Sequence, residues 1–237
     1  MMKTVAVNLN TQQAILLAED EEALGSIIAE SLETSGFVVM HVTNGREALQ
    51  LLQSGNFALA VLDVMMPGMD GFTVAQQLRL TNRQIPILFL TSKTMPHDVV
   101  AGFESGGNDY VKKPFSMLEL VVRIKALLGN NRFLTANTQQ VPVTIGLYHF
   151  DQVKQQLVFS STLQQLTARE SEILWLLYQH SQTLLSKQQL LNAIWGDDNF
   201  FNSRTLDVFI TRLRKHLKKD PQVQIINVRG MGYKLVW

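Results

Sequence analysis

Five short apolar runs punctuate the first 130 residues: Ala14–Ala18, Phe37–Met40, Ala58–Leu62, Pro86–Leu90 and Tyr110–Val111. They are continuous rather than alternating, so each predicts a strand covered on both faces, the signature of a parallel sheet. The stretches between them carry helical spacing, as in Leu24, Ile27, Ile28 and Leu32, or Leu120, Val121, Ile124 and Leu127. The pattern predicts an α/β, doubly wound domain with five parallel strands. Such open sheets bind ligands beyond the carboxyl ends of their strands. The polar residues of this half fall there. Glu19 and Asp20 follow the first run, Asp63 the third, Thr91 and Ser92 the fourth, and Lys113 the fifth.

Carboxylates gathered at one sheet edge repel one another unless a cation neutralises them. Mg2+ suits such a set, because it prefers oxygen ligands and commonly shares a site with phosphate. Taken alone, Glu19–Glu22 is equally the acidic start of a solvated helix, and Lys113 alone is a surface lysine. The four strand-end positions together are far more specific. A flavin phosphate is disfavoured by the acidic loop after the first strand, and a dinucleotide by the missing glycine-rich fingerprint. A haloacid-dehalogenase-type phosphatase requires a second Asp two residues after Asp63, where Met65 stands.

The stretches Leu17–Glu21, Leu62–Gly71, Leu90–Lys93 and Asp109–Phe115 resemble the receiver domain of response regulators, which are flavodoxin-like. The resemblance covers residues 14–128. It implies that Asp63 accepts a phosphoryl group from a sensor histidine kinase. It also implies that Glu19, Asp20, Asp63 and the Met65 backbone carbonyl hold Mg2+, and that Thr91 and Lys113 bind the phosphoryl oxygens. Thr91 and Tyr110 stand at the switch positions, and Met65 and Lys93 at positions that tune phosphate lifetime. A cis bond before Pro114 is expected.

The chain has a net charge of +1 that divides unevenly: residues 1–130 sum to −4 and residues 131–237 to +5. A basic half points to nucleic acid. Residues 129–143 are polar and aperiodic and read as a linker, and residues 1–13 as an extension before the first strand. From 144 to 237 the pattern is strand-like pieces (Val143–Phe150, Gln156–Phe159), then three helices and a terminal hairpin with glycines at its turn. Thr167/Glu170 and Ser186/Gln189 have capping-box spacing. In the third helix, about Ser203–Lys218, Leu206, Ile210, Leu213 and Leu217 form a buried stripe. Three helices and a hairpin predict an α+β winged-helix domain whose last helix enters the major groove.

This half is similar to the OmpR/PhoB-type winged helix, through Leu166–Glu170, Trp195–Gly196, Ser203–Val208, Arg212–Lys215 and Val228–Leu235. By that resemblance Arg204, Thr205, Thr211, Arg212, Arg214 and Lys215 contact double-stranded DNA at direct-repeat sites, with Arg229 on the wing. Phe209 departs from the family and is expected to pack; Trp175 and Trp195 read as core. Residues 197–202 would be a loop able to touch RNA polymerase. Relatives dimerise through ion pairs of which Asp109 and Arg123 match one, while Val99 opposite Glu119, and Asn108 and Asn130, depart from others. A weak homodimer formed on phosphorylation is expected. The alternative is a DNA-binding regulator independent of phosphorylation, with the receiver as its dimerisation module.

No cysteine is present, which excludes disulfides and thiolate metal sites. No apolar run approaches the ~20 residues that span a bilayer, so a cytoplasmic protein without a membrane partner is expected. Beyond the receiver's own phosphoryl transfer and dephosphorylation, no enzyme constellation is visible.

Overall fold

The computed structural model describes residues 14–92, 102, 104–129, 142–196 and 200–237. The N-terminal extension, Lys93, Val99, Asn130, most of the linker and residues 197–199 lie outside them. Five strands, β1 (Ala14–Ala18), β2 (Val38–Val42), β3 (Leu59–Asp63), β4 (Ile87–Thr91) and β5 (Asp109–Lys112), form one parallel sheet in the order β2-β1-β3-β4-β5. The second, third and fourth strands begin one residue later than the sequence pattern suggests.

Both faces of the sheet are buried, as the continuous runs require. Ile15, Leu17, Val61, Leu88 and Leu90 pack with Ile28 and Leu32 of α1 (Glu22–Thr34) and with Leu120, Ile124 and Leu127 of α4 (Met117–Gly129). The alternate residues Leu16, Ala60, Leu62 and Phe89 pack with Leu49 and Leu52 of α2 (Gly45–Ser54) and with Val74 and Leu78 of α3 (Gly71–Thr81). Each fully buried leucine or phenylalanine stabilises the domain by about 1.5–3 kcal/mol. Residues 102 and 104 are also helical.

The second half opens with an antiparallel sheet of β6 (Val143–Ile145), β7 (Tyr148–Asp151), β8 (Gln156–Phe159) and β9 (Thr162–Gln165). The single strand-like piece Val143–Phe150 is two strands, because Gly146 at φ +56° reverses the chain and Leu147 is left exposed. Helices α5 (Ala168–Gln179), α6 (Lys187–Trp195) and α7 (Phe200–His216) follow. Both capping boxes form: Thr167 with Glu170, and Ser186 with Gln189. Each cap stabilises its helix by about 1 kcal/mol. Helix α7 begins three residues before the expected Ser203, so the end of the expected polymerase-facing loop is helix.

The hairpin β11 (Gln224–Val228) and β12 (Gly232–Val236) turns at Gly230, whose φ is +74°, and β12 also pairs with the two-residue strand β10 (Leu185–Ser186). The predicted stripe Leu206, Ile210, Leu213 and Leu217 is buried, as is Phe209. Trp175 and Trp195 pack against this core.

The two halves touch. Arg169 at the start of α5 is 1% exposed. Its Nη1 donates to Glu172 (2.7 Å) and to the Ile194 carbonyl (2.8 Å), its guanidinium lies over Trp195, and its Nε reaches the Asn108 carbonyl at 3.4 Å. Tyr110 packs against the cores of both halves.

Glu170 is buried beneath this contact. Burial opposes its charge, but His216, the Thr167 amide and Arg212 outweigh burial and hold its carboxyl down to about 2. A lowered carboxyl stabilises the fold above its unfolded pKa near 4.5 and loses that contribution as pH falls toward 2. Glu170→Gln keeps the cap and loses the charge. It should cost about 1–3 kcal/mol at pH 7, and its deficit against the parent should shrink below about pH 4.5. Denaturant unfolding across pH checks this; a deficit independent of pH contradicts it.

Candidate functional site

The parallel register delivers the acidic residues to one edge. Glu19 leaves β1 with its amide bonded to the Val42 carbonyl (3.0 Å), and its own carbonyl lies 2.9 Å from His41 Nε2. Asp63 ends β3. Glu19 and Asp63 are buried and Asp20 is exposed, yet one carboxylate oxygen from each lies within 4.8 Å of the others. Thr91 ends β4 and is buried; its carbonyl accepts the Lys113 amide at 2.8 Å. The Lys113–Pro114 bond is cis, as expected.

Lys113 bridges the carboxylates. Its Nζ donates to Glu19 Oε2 (2.7 Å), Glu19 Oε1 (2.9 Å) and Asp63 Oδ2 (3.0 Å). Burial opposes the ammonium charge, but the bonds to Glu19 and Asp63 prevail and raise its pKa. Burial, reinforced by the neighbouring Asp63 charge, raises that of Glu19 despite Lys113. The Met65 amide donates to Asp63 Oδ1 at 3.2 Å, while the Met65 side chain is 58% exposed. The oxygen-only donor set and its spacing fit a small hard cation such as Mg2+.

Gly71 supports the site from behind. Its amide bonds the Val64 carbonyl (3.1 Å), and a Cβ at this position would lie 2.2 Å from the Asp63 carbonyl oxygen. Asp70 caps α3 just before it, accepting the Thr73 amide at 2.9 Å.

The DNA-contact candidates separate into groups. Thr211, Arg214 and Arg229 line a groove of about 310 Å³ between α7 and the wing, with Lys187, Asn227 and Tyr233. Arg204, Arg212 and Lys215 line a second space, which Thr211 also borders and which they share with Glu104 of the first half. Two candidates are tied into the fold. Thr205 is fully buried, because it lies one helical turn before Phe209 on the same packed edge, and its hydroxyl does not face solvent. Arg214 donates from Nε and Nη2 to the Ile225 carbonyl (2.9 and 2.7 Å), which ties it to the base of the wing. Lys187 was missed by sequence reasoning. It is the first residue of a capped helix and pairs with Asp207 at 2.9 Å, and only its place after Ser186 hinted at its position.

The expected dimer residues are occupied within the chain. Arg123 lies 3.3 Å from both Asp109 oxygens and 3.1 Å from Glu119. Asp109 is buried, with Arg169 at 4.0 Å on its other side. Asn108 is fully buried and serves its own half, its Oδ1 accepting from Arg79 (3.0 Å) and from the Ile87 amide (2.9 Å). Asp109 and Asn108 meet Arg169 of the second half, while Glu119 remains exposed.

Fold and site together define a receiver joined to a winged-helix DNA-binding domain. The family model for the response regulator receiver domain matches residues 15–125, and that for the C-terminal domain of transcriptional regulatory proteins matches residues 162–235. The chain is 43% identical over 230 residues to the transcriptional regulatory protein RprY of Bacteroides fragilis, covering 97% of each. It is 34% identical to the alkaline phosphatase synthesis transcriptional regulatory protein PhoP of Bacillus subtilis, covering 93% of this chain and 95% of that one. Among solved structures, a mutant of RitR matches with TM-score 0.71 and 26% identity over 94% of this chain and 98% of its own. The chain belongs to the response regulator family of two-component transcriptional regulators.

Gly71→Ala should force the Asp63 strand end to shift, destabilising the first half by about 1–3 kcal/mol. Thermal unfolding measures this, and an unchanged melting temperature contradicts the packing described.

Proposed function

We propose that Asp63 is the phospho-acceptor of a phosphorylation-gated DNA-binding regulator, residues 14–128 acting as the receiver and residues 144–237 as the output domain. The convergence of Glu19, Asp20, Asp63 and Lys113 on one sheet edge carries this reading. An Asp63 carboxylate oxygen attacks the phosphorus of a kinase phosphohistidine. The P–O bond forms as the P–N bond breaks, and the electron pair leaves on the imidazole nitrogen, which takes up a proton. Catalysis here is positioning and charge neutralisation. Glu19, Asp20, Asp63 and the Met65 carbonyl would hold Mg2+, which neutralises the phosphoryl oxygens. Lys113 follows those oxygens from the opposite side, and the Thr91 hydroxyl donates to one of them. Later loss of the group is hydrolysis at the same phosphorus. The exposed Met65 side chain hinders the attacking water and gives the phosphoryl group a long lifetime.

The output is DNA binding to direct repeats. Arg204, Arg212 and Lys215 face the receiver here, so full use of α7 requires the two halves to part. Tyr110, packed on both cores, is where a change at Thr91 would be felt. Parting also frees Asp109 and Arg123 for a weak homodimer, each exposed ion pair adding about 0–1 kcal/mol. Residues 197–202 are left for RNA polymerase. Among the described residues no helix is long and apolar enough to cross a membrane. A regulator acting between a kinase and a promoter would work in the cytoplasm.

Intact mass after incubation with Mg2+ and acetyl phosphate is the direct test. The chain should gain one phosphoryl mass that Asp63→Ala does not. A folded chain that never gains it points instead to a regulator independent of phosphorylation. Rapid loss of the group, within seconds, would contradict the role given to Met65.

For DNA, Arg229→Ala and Lys215→Ala should each weaken binding across sequences and reduce the slope of log affinity against log salt by about 1. An unchanged slope removes that residue from the interface.

A further inference from the structure

Arg79 of α3 is a buried guanidinium, 8% exposed, whose recorded acceptors are all neutral. Its Nε donates to the Gly106 carbonyl (3.0 Å), Nη1 to the Asn82 carbonyl (3.0 Å) and Nη2 to Asn108 Oδ1 (3.0 Å). Among the described residues no carboxylate lies within ion-pair range of it. A buried cation without a counter-ion is expensive. Burial pushes its pKa down, and the nearby charges of Arg212 and Arg83 press in the same direction.

This guanidinium lines a cavity of about 250 Å³ between the two halves. The receiver contributes Arg83, Glu104 and Gly106 to the wall, and the output domain contributes Glu170, Arg212, Lys215 and His216. Glu170 favours the Arg79 cation from across the cavity. It is already committed, however, to the Thr167 amide (2.8 Å), to Arg212 (3.5 Å) and to His216 (3.6 Å). Among the described residues lining the cavity, Arg79, Arg83 and Lys215 are then set against Glu104, which is exposed. The space equals roughly eight water molecules at about 30 Å³ each, enough for a phosphate or a pyrophosphate group.

We propose that this interdomain cavity is a binding site for a small phosphate-bearing anion, held by Arg79 and Arg83 of the receiver and Lys215 of α7. Because its ligands come from both halves, occupancy joins them and keeps Lys215 turned away from DNA. The site is separate from the Asp63 edge and needs neither Mg2+ nor phosphorylation.

Calorimetric titration of the full chain with inorganic pyrophosphate, in EDTA and at constant ionic strength, tests the site. Saturable binding is expected, weakened about tenfold in Arg83→Ala, an affinity change of about 1.4 kcal/mol. The isosteric Asn108→Asp gives Arg79 an internal carboxylate and should weaken binding to a similar degree in a chain at least as stable. Amide shifts in two-dimensional NMR should appear at both Gly106 and Thr167. Absence of saturation at millimolar pyrophosphate, unchanged affinity in both variants, or shifts confined to one half would each overturn the proposal. The absence of Mg2+ separates these outcomes from failure of Asp63 phosphorylation.

Discussion

One lysine sets the terms at the acidic edge of the parallel sheet. Glu19 and Asp63 are buried carboxylates from neighbouring strands, and each alone would meet a desolvation cost of several kcal/mol. Lys113 reaches both at 2.7–3.0 Å. It does so because β5 is parallel to β4 and the two end in register, Thr91 opposite Lys112, so that Lys113 comes directly after the strand end with its amide tied to Thr91. Three strand ends, β1, β3 and β5, must therefore be in register before the charges balance. A slip of one residue in any of them would reverse the facing of that strand. It would leave a buried charge without its partner. The same requirement explains why Gly71 admits no side chain: the Asp63 strand end has no room to retreat.

A second set of buried charges borders the contact between the two halves, with Arg169 and Asp109 facing each other across it. Arg169, Asp109, Glu172, Arg123, Glu170 and Arg212 are mostly hidden and mutually paired. Pairs of this kind contribute little net stability, since desolvation offsets attraction. Breaking one of them is costly, whereas separating the halves breaks only the Arg169–Asp109 contact at 4.0 Å and leaves the other pairs within their own half. An interface built this way is specific in geometry yet easily opened. The orphaned donors at its centre, Asn108 Nδ2 and Arg169 Nη2, point the same way. They are polar groups that gain a partner when water enters.

Much of this was legible in the sequence, and the reasons are local. Continuous apolar runs placed the five strands within a residue or two, and strand ends placed Glu19, Asp20, Asp63, Thr91 and Lys113 on one edge. Capping chemistry located α5 and α6. What escaped depends on contacts remote in the chain. Polar β9, read from Thr162-Leu163-Gln164-Gln165, is a strand because β8 offers it a ladder, and its own residues give little signal. Thr205 looked like an exposed helix residue because the buried stripe was read as Leu206, Ile210, Leu213 and Leu217, although Phe209, one turn on, was itself expected to pack. Counting 205 with 209 widens that stripe by one column. Asp109 and Asn108 read as dimer-surface positions, since nothing in their neighbourhood announces Arg169, about sixty residues later.

The position of Tyr110 then acquires a physical sense that neither half supplies. It follows Asp109, the acceptor shared by Arg123 and Arg169, and it sits beside Phe89 across the β4–β5 ladder. Its ring is packed on the receiver core and on the winged-helix core at once. A close-packed ring cannot change rotamer without displacing one of its neighbours. Any rearrangement of Thr91, two residues along β4 from Phe89, that draws Tyr110 into the receiver removes an aromatic side chain from the other core. The contact between the halves loses apolar area at the same moment that the backbone beside Arg169 moves. If Asp63 is the phospho-acceptor as proposed, signal there and release of α7 would be one packing event, because β5 borders both the acidic edge and the interface.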